Sequence, residues 1–250
     1  MRDVLFTRFY AKEIYTIFGA LMGTGPNDAP ALGYKNRQAD AALTASVVKD
    51  FERLGVASAD GVLSFDAVCR ARSDAESLLG AASRAGRTKG VRGNPPLLGG
   101  APDATWTQTD GAKGCGAGLK AAVDVLRGVA SALTQSKALD LNLDVPPKCD
   151  VVRFGETRTG AIEPGAIDGQ GVIVALFLNP GWDEPTGGGT VRAEAVGEGA
   201  DGYATDIAPL GGRLVIVREA VAHEVLPAAS ADESSVAVAC LFAGRRGSQV

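Results

Sequence analysis

The chain contains one histidine, His223, and that count limits its chemistry more than any other feature. Sites built on two or three imidazoles are excluded outright: a zincin helix, a three-histidine zinc centre, a two-histidine iron centre. Four cysteines, Cys69, Cys115, Cys149 and Cys240, lie far apart, with no CxxC pair and no dense disulfide spacing. They are expected as small buried hydrophobes, since none has an evidently electropositive setting that would activate a thiol. No GxSxG marks a nucleophilic serine, and no GxxxxGK[ST] loop is present to cradle a phosphate. The net charge of −4 argues against nucleic acid as a partner, because phosphate binding needs a clustered basic face.

The elements that must hold such residues divide the chain. Two hundred and fifty residues suit one large domain, or one domain with an appendage. Residues 1–40 read as an N-terminal extension and linker. Arg2, Arg8, Lys12 and the apolar run Ile14 to Met22 hint at targeting, but Asp3, Glu13 and the absence of a clear cleavage site weaken it. An intracellular location is expected, with organelle targeting left open. No stretch approaches the ~20 apolar residues of a membrane span. Residues 41–250 form the domain.

Leu43, Val47, Phe51 and Leu54 share one helical face, with Gly55 placed to end that helix. Val56 to Leu63 suits a short strand or an extended link. Ser64 is placed to cap a helix running to about Gly86, and Leu119, Val123, Leu126, Val129 and Leu133 line one side of a third, at 117–134. The second half changes to short β-type runs at 151–152, 172–178, 190–196, 213–217, 221–226 and 235–242, separated by Gly- and Pro-rich turns. Helices first and strands after give an α+β arrangement, with N-terminal helices buttressing an antiparallel sandwich or jelly roll.

The strand region carries a fixed succession of short motifs. Leu178-Asn179-Pro180-Gly181-Trp182 comes first, followed by Gly188-Gly189-Thr190-Val191-Arg192 and Asp206-Ile207-Ala208-Pro209. Gly212 to Val217 and His223-Glu224-Val225-Leu226-Pro227-Ala228 complete it. This order resembles the double-stranded β-helix of the 2-oxoglutarate and iron(II)-dependent oxygenases, and most of all the prolyl 4-hydroxylases of the oxygen-sensing type. Val91-Arg92-Gly93, Thr105-Trp106 and Gly114-Cys115 agree with it, and the resemblance covers about residues 41–246.

The resemblance implies a dioxygenase that hydroxylates prolyl residues of a protein or peptide, with iron(II) and 2-oxoglutarate as cofactors. Iron in that family is held by an early His-x-Asp/Glu motif and a late histidine. His223 matches the late one. The early positions fall on Ala161 and Glu163, or on Pro164 and Ala166, so the second imidazole is missing in either alignment. The family's basic residue for the distal carboxylate of 2-oxoglutarate is matched by Asp232, whose charge would repel that group. A co-substrate tyrosine is matched by Phe177, which lacks the hydroxyl. Arg192 and Arg213 are alternative anion binders at the barrel mouth, against the plainer reading of solvated strand-end cations.

These losses together imply a pseudoenzyme: a binding or structural subunit acting with a protein partner or larger assembly, without bound cofactor. The rival is an active oxygenase whose metal is held weakly by His223, Glu163 and Asp168.

Overall fold

A computed structural model of the chain describes residues 35–85, 105–111, 114–136, 139, 141–144, 148–154, 171–182, 188–194, 204–226, 235–242 and 244. Helix α1 spans Arg37–Ala42, α2 Ala45–Leu54, α3 Phe65–Arg84 and α4 Ala117–Gln135. The strands are β1 Val56–Ala59, β2 Thr105–Thr109, β3 Cys149–Arg153, β4 Val172–Phe177 and β5 Val191–Glu194. They continue as β6 Ala204–Ile207, β7 Leu214–Arg218, β8 His223–Val225 and β9 Val236–Phe242.

Local signals set the helix ends, at Ser64 and Gly55 as expected. The Ser64 hydroxyl accepts from the Ala67 N–H at the start of α3, and Thr44 does the same for Val47 at the start of α2. Gly55 closes α2 in the left-handed region at φ 70°, where a side chain would be strained. Helix α4 is capped from a distance: its N-cap is Gly116, and the Asp74 carboxylate of α3 accepts from the N–H groups of Gly118 and Leu119 at 2.8 and 3.1 Å. Helix α1 starts at Arg37 and so crosses residue 40, inside the stretch read as linker. Asn36 caps it, and Ala39 is fully buried against α4.

Two antiparallel sheets face each other. The larger has the order β1-β7-β4-β9-β3-β2 and the smaller β6-β5-β8. Alternation along the large sheet gives each face its own core. Val174, Leu176, Leu214 and Ile216 pack with Leu119, Leu126 and other residues of α3 and α4, on the helix-covered face. Ile173, Ala175, Phe177, Val215 and Val217 point the other way, towards Val191, Ala193, Ile207 and Val225 of the small sheet. The first set is fully buried, and the helices rather than the second sheet cover it.

Two strands were not foreseen, β2 and β6, and both are edge strands. Each carries a single large apolar residue, Trp106 or Ile207, so neither forms an apolar run that would mark a strand. The four cysteines also divide differently from expectation. Cys115 is a buried thiol and Cys69 a half-buried one, but Cys149 and Cys240 are joined as a disulfide between β3 and β9. They stand opposite each other in the antiparallel register, next to the Asp150–Ala239 pair. A span of 91 residues separates them in sequence, and local spacing carries no signal for such a bond.

Candidate functional site

His223 opens β8 and is directly opposite Ala193 of β5. Directly opposed residues project to the same side of a sheet, and so do residues two apart along a strand. Ala193 and Val225 both belong to the apolar layer between the sheets, so the imidazole faces that layer as well. It is only 2% exposed, and its Nδ1 lies 2.8 Å from the Val221 carbonyl oxygen. A carbonyl can only accept, so Nδ1 carries a proton, and the other ring nitrogen, Nε2, is also buried. Phe177, fully buried, enters the same layer from β4 on the opposite sheet. The fold therefore brings these two candidate positions to facing walls of one space.

The two arginines considered for anion capture are already engaged. Arg192 makes a bidentate pair with Asp206 at 2.8 Å on each arm, and approaches Glu224 at 3.8 Å. Asp206 and Glu224 are its direct neighbours across β6 and β8, giving an alternating charge row on the outer face of the small sheet. The Arg192 hydrogen bonds hold the Asp206 carboxyl below the usual carboxylate range and push the guanidinium up. Arg213 is held by Asp60, with one arm at 2.9 Å, and by the Ala208 carbonyl at 3.0 Å. Hydrogen bonding from Arg213 lowers the Asp60 pKa against the smaller opposing effect of burial. A guanidinium already bound to a carboxylate on both arms is a poor receptor for a second anion.

A polar centre that the sequence did not disclose lies at the end of β4. Asn179, 6% exposed, donates through Nδ2 to the Pro209 carbonyl at 2.7 Å and to the Ser235 hydroxyl at 2.6 Å. Its Oδ1 accepts from the Val236 N–H and from the Arg72 guanidinium, both at 2.8 Å. One amide thus ties α3, the loop before β7 and the start of β9 to the end of β4. The partners lie 30 to 107 residues away, which is why no local spacing reveals it. Close by, Gly189 adopts φ 91° beside Ser235, and a Cβ there would overlap the Ser235 side chain. The glycine run before β5 is placed for that close approach.

The remaining candidates, Glu163, Asp168 and Asp232, lie outside the described residues. Among the described residues no group of three His, Cys, Asp or Glu side chains is placed to hold a metal ion. The whole sequence holds one imidazole, so an iron centre built on two histidines cannot be assembled from this chain alone.

No protein-family model matches the chain, and no curated protein matches its sequence. Solved structures do match. A prolyl-4-hydroxylase from Pseudomonas putida is 22% identical, with a TM-score of 0.60, over 81% of this chain and 99% of that one. A prolyl hydroxylase from Trichoplax adhaerens, in complex with a hypoxia inducible factor oxygen degradation domain peptide fragment, is 16% identical. Its TM-score is 0.63, over 82% of this chain and 90% of that one. The non-heme alpha ketoglutarate dependent carbocyclase SnoK from nogalamycin biosynthesis is 14% identical, with a TM-score of 0.56, over 84% and 89% of the two chains. The chain therefore has the double-stranded β-helix fold of the prolyl 4-hydroxylases and other 2-oxoglutarate and iron(II)-dependent oxygenases.

Proposed function

We propose that the chain is a non-catalytic form of the prolyl-hydroxylase fold, a binding or structural subunit that engages a protein partner through the open end of its barrel. The observation that carries this reading is the single imidazole. Iron in this chemistry is held on one face by two histidines and a carboxylate, with the other positions free for co-substrate and dioxygen. With His223 as the only histidine, that ligand set cannot be completed. Asp232 at the co-substrate's cation position and Phe177 at its tyrosine position point the same way. The peptide held by the Trichoplax neighbour supports a protein segment as the kind of partner.

A second reading is favoured by one feature of His223. Metal-binding histidines usually donate their far N–H to a carbonyl or carboxylate, which fixes the tautomer. The Nδ1 contact with the Val221 carbonyl is of that kind. In this reading Glu163 and Asp168 complete a weak site with His223, and the chain is an active dioxygenase hydroxylating prolyl residues. Iron(II) would then be its metal and 2-oxoglutarate its co-substrate.

Thermal melts with manganese(II) as a redox-silent metal, with and without 2-oxoglutarate, separate the two. A ligand at a hundred times its dissociation constant adds about 2.7 kcal/mol, a rise in Tm of roughly 5–10 °C for a chain of this size. The non-catalytic reading expects no shift in the parent protein or in His223→Ala, and no succinate release with iron(II). A metal-dependent rise in the parent that disappears in His223→Ala would overturn it in favour of the second reading.

A further inference from the structure

We propose that Cys149–Cys240 is a protected structural cystine, formed by a thiol oxidant before the core closes, and not a switch operated in the folded protein. The two residues occupy opposed positions on neighbouring strands, with Cα atoms 4.8 Å apart, inside the range a disulfide spans without moving the backbone. Both lie in the layer covered by the helices, Cys149 at 1% and Cys240 at 0% exposure. The other two cysteines are free thiols on other elements: Cys69 sits on α3 and Cys115 just before α4.

Burial decides between staple and switch. Reduction begins with attack of a thiolate along the S–S axis of a reachable sulfur, giving a mixed disulfide and releasing the other sulfur as a thiolate. A second thiol then displaces the remaining sulfur. In sum two electrons and two protons pass to the cystine, and the attacking dithiol becomes a disulfide. Neither sulfur can be reached while α4 covers the sheet, so exchange requires the core to open. Formation has the same requirement in reverse: a disulfide-bearing oxidant must accept two electrons from the two thiols while β3 and β9 are still accessible. The closed loop spans 91 residues and encloses β4 to β8, so His223 and all of the small sheet lie within it. In the chain-entropy view, a link across a loop of that length restricts the unfolded chain strongly.

The test is peptide mapping of full-length protein refolded in a glutathione redox buffer. Free thiols are blocked with iodoacetamide in denaturant before proteolysis. The expected result is one linked pair of peptides, carrying Cys149 and Cys240, with Cys69 and Cys115 alkylated. Four alkylated cysteines, or any other pairing, overturn the assignment. Dithiothreitol is then applied to native and to denatured protein. The link should survive for hours in the first and be lost within minutes in the second, and equal rates would overturn the protection. In the Cys149→Ala/Cys240→Ala double variant Tm should fall by on the order of 10 °C, from roughly a thousandfold rise in the unfolding constant. Cys69→Ala/Cys115→Ala should leave the link intact. If the first double variant melts with the parent, the structural role fails.

Discussion

The two faces of the large sheet are buried by different means. On the helix side, α4 packs against β4 and β9 and α3 packs against α4 and β2, and the layer between is built mainly of Leu, Val and Ala side chains. On the inner side the small sheet contributes short residues, Ala193, Val191 and Val225, and among them a single imidazole. The first face answers only to packing, which many sequences can satisfy. The second carries His223 and Phe177, and a reacting site there would need particular donors at particular positions. Under the proposed non-catalytic reading, this difference lets the fold persist without its chemistry. Burial of apolar area maintains the scaffold, and that term is indifferent to a lost ligand.

The comparison is tested most strongly on the helix side. Leu126 of α4 is fully buried, and Leu126→Ala should cost about 2–5 kcal/mol, read as a lowered urea midpoint at unchanged slope. A loss under about 1 kcal/mol would mean that this face does not carry the stability ascribed to it.

At the end of β4, Asn179→Ala removes four hydrogen bonds and strands the buried Val236 N–H. The expected loss is about 2–3 kcal/mol, less than a naive sum because Arg72 remains in reach of water. Denaturant unfolding of Asn179→Ala, Arg72→Ala and the double variant should show coupling between the two. Strict additivity would show that the amide is not a shared hub.

The smallest effect belongs to the surface pair Asp60–Arg213. Asp60 titrates below its ordinary 3.8 because Arg213 hydrogen-bonds its charged form. The pair's contribution is therefore full above about pH 4 and fades as pH falls through the lowered pKa. Asp60 is mostly exposed, so screening limits the contribution to about 0.5–1 kcal/mol. Asp60→Asn should reduce stability by that amount at pH 7 and by less near pH 2. An equal loss at both would assign the effect to packing instead of charge.

Periodic and punctuating residues made much of this architecture legible in advance. The cap at Ser64, the stop at Gly55 and the apolar stripe of α4 are local patterns, and they produced the expected helices. The central strands β4, β7 and β9 were equally plain, since a strand buried on both faces is a continuous apolar run. Strands β2 and β6 were not, because each carries a single large apolar residue, Trp106 or Ile207, and so forms no apolar run. At the candidate site, the count of one histidine was decisive without any coordinates, and it alone excludes the two-histidine centre.

Only the tertiary structure could decide what those residues meet. Arg192 and Arg213 look alike as strand-end cations, yet each is already held by a carboxylate, one of them 153 residues away in sequence. Asn179 reads as the end of a strand and is a four-way polar junction. Cys149 and Cys240 read as ordinary small hydrophobes and are bonded across two strands. Types and spacing along a chain fix which side chains exist and which local conformations they favour. Pairing between distant segments depends on sheet register and on how the layers stack, and those are properties of the whole packed molecule.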